Sequence, residues 1–204
     1  MSLPTKDEVK FILNIGLVSN NKNPLKEKLF QKYTREAGEF LDVLAVAYGL
    51  KPLAALDFSS YGKTKFKKLN VILINHIIDY SNKMGVKSLH NMKTGGMYLK
   101  TIFYLPDNEQ RALNLMAILW INPKYSSDSK LDAYYGHFYI GRSLGYSEKN
   151  IQAFLKHNFD ASLSESQIKF INGKFDSDRF TLEELNKHFK IKINTPIKPL
   201  AIKK

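Results

Sequence analysis

The 204-residue chain contains no cysteine, and among its 31 basic residues only Arg35, Arg111, Arg142 and Arg179 are arginine. The first absence excludes disulfides, thiol nucleophiles and thiolate metal sites together. The second leaves 27 lysines and few of the planar forks that read bases and phosphates bidentately. Long hydrophobic runs are also lacking. A stretch such as Leu115 to Ile121 is far too short to span a bilayer. No charged start followed by an apolar core marks a signal peptide, so a soluble, intracellular protein with no membrane partner is expected. The five histidines, His76, His90, His137, His157 and His188, show no paired spacing of the zinc-helix kind. Asp176, Asp178 and Glu184 lack the glycine that a calcium loop needs, so neither metal nor cofactor is expected.

What the chain does have is positive charge and enough apolar material for a core. Hydrophobic residues make up 44%, which suits one domain, and the formal net charge is +12. That charge is unevenly placed. Counted along the sequence, residues 51–104 carry +7 and residues 166–204 carry +5, whereas residues 1–50 carry +1 and residues 105–165 carry −1. Lys63, Lys65, Lys67 and Lys68, interleaved with Tyr61 and Phe66, form the densest polyanion patch. Gly62-Lys63-Thr64 resembles the end of a phosphate-binding loop. Asp57 stands where the loop's first glycine belongs, and its carboxylate would repel phosphate.

Periodicity predicts mostly helix. Thr5 and Glu8 form a capping box. Asn23-Pro24 opens a long amphipathic helix, with a stripe from Leu25 through Phe40 and Leu44 to Tyr48, that Gly49 ends. Helical spacing recurs from Phe66 to Met84, with His76 on the core face, before Gly85. Lys93 to Gly96 is a glycine turn, and Met97 to Leu105 is the best strand candidate. Asp107 with Gln110 begins a helix apolar nearly all round, hence central and buried. Ser129 and Asp132 cap the next helix, which runs to about Leu144. Asn172-Gly173 within the alternating segment 168–175 signals a hairpin, although Ser164 and Gln167 are spaced to cap a helix instead. Thr181 and Glu184 form a further capping box, and the lysine-rich tail beyond Glu184 is expected to be extended.

The segment Ile140 to Lys156 reads as helix, sharp turn, helix. Gly145 suits the left-handed stop, Ser147 the next cap, and Ile151, Phe154, Leu155 and Phe159 a stripe packing back on Ile140 and Leu144. With Gly141, Leu144, Gly145, Ser147 and Ile151 in order, the segment resembles the helix-turn-helix of DNA-binding proteins. The resemblance covers residues 140–156 alone. It implies that Ser147, Glu148, Lys149, Gln152, Ala153 and Lys156 face outward toward a major groove. Gln152 would pair with adenine, and Lys149 and Lys156 would reach guanine or phosphate. A hairpin at 168–175 would complete a winged arrangement, with Lys169, Lys174 and Arg179 toward phosphate.

Two other classes stay open. Tyr134, His137 and Arg142 can line a pocket for an anionic substrate, with His137 as general base. An ordinary helical hairpin in a structural or partner-binding protein needs no chemistry at all, and homo-oligomerisation is undecided. The expected fold is mainly α with a minor β component (α+β). It comprises a helical core domain over 1–162 and a small C-terminal β/α subregion with a basic tail over 163–204. The leading expectation is a nucleic-acid-binding protein.

Overall fold

The computed structural model describes residues 5–10, 35–59, 75–91, 98–189 and 191–194. The polyanion patch at 61–68, the glycine turn at 93–96 and the cap at Asn23-Pro24 lie outside them. The chain is mainly helical with one four-stranded antiparallel sheet. Its named elements are α1 (Arg35–Ala47), β1 (Leu53–Ser59), β2 (Lys87–Asn91), β3 (Tyr98–Tyr104), α2 (Glu109–Trp120), α3 (Ser129–Ser143), α4 (Glu148–Phe159), α5 (Glu165–Ser177), α6 (Leu182–His188) and β4 (Ile191–Ile193). Residues 6–10 and 75–83 are also helical. The Thr5 box closes as expected, with Thr5 N–H donating to the Glu8 carboxylate at 2.8 Å.

The sheet order is β1-β3-β2-β4. Helices cover both faces, so β3 is buried from Thr101 to Tyr104 without alternation. On one face Ala54, Leu56 and Phe103 pack with Val43, Val46, Ile77, Ile78 and Val86. On the other, Leu53, Leu89, Ile102 and Tyr104 meet Ala112, Leu115, Met116, Ala117 and Leu185. α2 is therefore the wall shared by the sheet and the helical half. Ile118 on the same helix belongs to the next cluster, with Tyr135, Phe138, Tyr139, Ile151, Leu155, Leu163 and Ile171.

Several expectations are corrected. Residues 168–175 form no hairpin; they lie within α5, because Ser164 and Gln167 complete a reciprocal capping box and Ile168 and Ile171 pack inward. The winged arrangement goes with the hairpin. His76 is exposed rather than core, since Ile77 and Ile78 take the inward positions of its helix. α3 is capped by Asp128, whose carboxylate accepts from Lys130 and Leu131 N–H, while buried Asp132 instead takes the N–H groups of Tyr125 (2.6 Å) and Ser126 (3.1 Å). The chain beyond Glu184 is not simply extended. α6 continues to His188, and β4 pairs with β2 in the main sheet, where the Asn194 side chain accepts from Ser88 N–H at 2.7 Å.

β2 carries a buried polar row. Across the ladder His90 faces Thr101 on one side and Lys192 on the other. Ser88 Oγ, Thr101 Oγ1 and both His90 ring nitrogens have no hydrogen-bond partner among the described residues. Burial, and then the Lys192 charge, pull the His90 pKa from 6.5 down to about 4. The unfolded chain thus binds this proton more readily than the folded one. The stability linked to neutral His90 is fully present above pH 6.5 and is lost as pH falls toward 4. Between pH 7 and pH 5 the loss should be about 2 kcal/mol. His90→Leu should flatten that part of a stability–pH curve measured by urea unfolding. An unchanged slope in the variant would show that His90 is not the group responsible.

Candidate nucleic-acid interface

α3 stops on a Schellman motif. Tyr146 N–H donates to the Gly141 carbonyl (3.0 Å) and Gly145 N–H to that of Arg142 (3.1 Å), satisfying carbonyls that the helix end would leave open. Gly145 has φ +88°, and a Cβ there would lie 2.6 Å from Pro52 Cδ, in the approach to β1. Gly141 allows an equally close approach, since a Cβ on it would meet Ile151 Cγ1 at 2.7 Å. Ser147 then caps α4 by accepting from Asn150 N–H at 3.3 Å. The turn chemistry legible in the sequence is therefore realised, and α4 is seated on α3 at the Gly141–Ile151 contact.

α4 buries only Ile151 and Leu155. Residues 145–150, including Ser147, Glu148 and Lys149, are exposed, as are Ala153 and Lys156. Lys156 Nζ pairs with Asp160 at 2.5 Å, but both side chains are largely in solvent, where such a pair is weak and readily exchanged. Gln152 is different. Its amide donates to the Leu163 carbonyl (2.7 Å) and accepts from Leu163 N–H (3.1 Å), tying the α4–α5 connection to α4. Both ends of the side chain are engaged, so the adenine role implied by the resemblance would require breaking two bonds within the fold.

Phe154 and Phe159 do not enter the core. They remain 47% and 42% exposed and form a surface cluster with His137 and Tyr134. The His137 ring lies 4.7 Å from that of Phe159, and partial burial lowers its pKa. Arg142 does not join this cluster. It turns toward α5, with its guanidinium 5.7 Å from the Phe175 ring centre. Tyr134 and His137 thus share a surface and Arg142 serves another, because α3 presents them to different neighbouring helices.

Of the residues considered for a wing, Lys174 lies over Phe170 (5.9 Å), and Arg179 donates to the carbonyls of Asp176 and Asp178 (both 2.7 Å). Lys169 is exposed on α5. Lys63, Lys65, Lys67 and Lys68 lie outside the described residues.

Sequence reading passed over a polar junction beside the hairpin. Asn114 on α2 donates to the Asp178 carbonyl (2.8 Å) and accepts from Phe180 N–H (3.2 Å) and Gln110 (2.9 Å). Tyr125 donates its hydroxyl to the Asp178 carboxylate. Burial first, and then that bond, push the Tyr125 pKa up. The available signal was a buried-helix pattern interrupted by Asn114. Among the described residues no group of three or more acidic or histidine side chains could hold a metal ion, and no helix is long and apolar enough to cross a membrane. The chain matches no protein-family profile, no curated protein and no solved structure.

Proposed function

We propose that this protein binds nucleic acid, with the α3–α4 hairpin presenting α4 and the lysine excess holding the phosphate backbone. The observation that carries the reading is the seating of α4. A Schellman stop, the Gly141–Ile151 contact, buried Leu155 and the Gln152 tie to Leu163 hold it to the fold, leaving its first turn and outer side in solvent. Lys149, Ala153 and Lys156 make up the contacting surface, together with Ser147 at the cap. Gln152 acts inside the fold as a tie to Leu163. Phe154 and Phe159, on either side of Lys156 in the sequence, favour a single strand as ligand, since exposed rings stack on bases.

Salt titrations with a duplex and with a single strand test the proposal. Affinity should fall steeply as salt rises, with a slope of about −0.9 per phosphate neutralised on a duplex. Lys149→Ala with Lys156→Ala should make that slope shallower by about 2 without moving the melting temperature. Gln152→Ala should instead lower stability, since the Leu163 N–H and carbonyl both lose their partner. An absence of binding to either ligand at low ionic strength would defeat the reading. Preference for the single strand that disappears in Phe154→Ala with Phe159→Ala would identify the ligand class.

A further inference from the structure

Two of the four arginines of this lysine-rich chain, Arg111 on α2 and Arg142 on α3, meet beside the end of α5. They share one ring. The Arg111 guanidinium lies 5.2 Å from the centre of Phe175, and that of Arg142 lies 5.7 Å from it. Tyr139 packs its ring against the same phenylalanine at 5.1 Å. Arg142 Nε is buried and has no hydrogen-bond partner among the described residues. Neither Arg111 nor Arg142 forms an ion pair among the described residues. The field at Arg111 has the same sign: after burial, repulsion from Arg142 lowers its pKa more than Asp176 raises it. Two half-buried cations held on one aromatic ring are costly unless a counterion is shared, and an idle buried donor calls for an acceptor.

We propose that Arg111 and Arg142, positioned on Phe175, form a receptor for a phosphate group. Guanidinium forks match tetrahedral oxyanions bidentately, and Arg142 Nε supplies a donor that no described residue uses. The location connects the receptor to the hairpin. Asn172, three residues before Phe175 on α5, donates to Glu148 in the first turn of α4 at 2.7 Å. α5 thus carries both the ring that positions the arginines and a tie to the first turn of α4. The receptor does not depend on nucleic-acid binding; only the source of its phosphate, a nucleic-acid backbone or a free phosphate ligand, rests on that reading.

The experiment titrates inorganic phosphate into the full chain against chloride at matched ionic strength, by calorimetry and by the Nε–H signals of 15N-labelled arginine. Saturable binding with a shift of the Arg142 signal is expected. Arg142→Gln and Arg111→Gln should each weaken it about 10-fold or more, and Arg111→Lys with Arg142→Lys should retain part of it. The Nε–H readout on unmodified protein keeps the test valid if a glutamine variant fails to fold. No binding at millimolar phosphate, no shift at Arg142, or equal binding by both folded glutamine variants would overturn the receptor. The same variants are then titrated with the duplex and the single strand. Parallel loss makes the phosphate a nucleic-acid one. Loss of phosphate binding with unchanged nucleic-acid affinity assigns the receptor to a free phosphate ligand. A protein that binds phosphate but no nucleic acid refutes the proposed function and leaves the receptor standing.

Discussion

Replacing Gly145 with valine is expected to lower stability by about 3 kcal/mol or more, from two separable causes. The backbone at φ +88° is strained for any β-branched residue, costing about 1–3 kcal/mol. The new Cβ would also fall 2.6 Å from Pro52 Cδ, within the approach to β1, where overpacking adds a similar amount. For a chain of this length the melting temperature should drop by on the order of 10 °C. Pro52→Ala removes the ring atom concerned, so the double variant should recover the steric part and keep the backbone part. A simple sum of the two single effects would show that the hairpin turn does not press against the approach to β1.

Asn114→Ala is the second large effect. The amide is 4% exposed and joins α2 to the α5–α6 connection through Asp178 and Phe180. Truncation strands the Phe180 N–H, at about 1–3 kcal/mol for a buried group left unpaired, and removes one of two donors to the Asp178 carbonyl, which keeps Arg179, at about 1 kcal/mol more. A loss of about 2–4 kcal/mol is expected from denaturant midpoints. Faster amide exchange should be confined first to the connection and to α6, whose Leu185 lies in the same core cluster as Leu53 and Leu89. Asn114→Asp keeps the acceptor for Phe180 and Gln110 but loses the donor to Asp178, so its exchange pattern should spare Phe180. Uniform exchange throughout the chain in the alanine variant would mean that Asn114 supports the fold as a whole rather than this junction.

Local chemistry was legible where it is self-contained. The two capping boxes, at Thr5 and Thr181, and the stops at Gly49, Gly85 and Gly145 involve partners within a few residues, and all form. The continuous apolar runs of β3 and α2 were equally clear, because elements covered on both sides need no alternation. β2 was not legible. Lys87-Ser-Leu-His-Asn91 has no strand pattern, and it is a strand because β3 and β4 flank it and saturate its backbone. The Asn-Gly pair at 172–173 misled for the complementary reason. A turn signal two residues long lost to a capped helix whose Ile171 is buried against α3 and α4.

The candidate site divides the same way. Sequence alone determined the glycine-stopped helical hairpin and the exposed first turn of α4, because a left-handed glycine, a serine cap and two buried apolar positions act over single turns. The tertiary structure decided which outward side chains are free. Gln152 is committed to Leu163, Phe154 and Phe159 stay in solvent, and Arg142 leaves His137 to meet Arg111 on Phe175. Helical spacing states the face of a residue but not what the next helix places against it. Those partners arrive from 11, 33 and 31 positions away along the chain, at distances where local pattern carries no information.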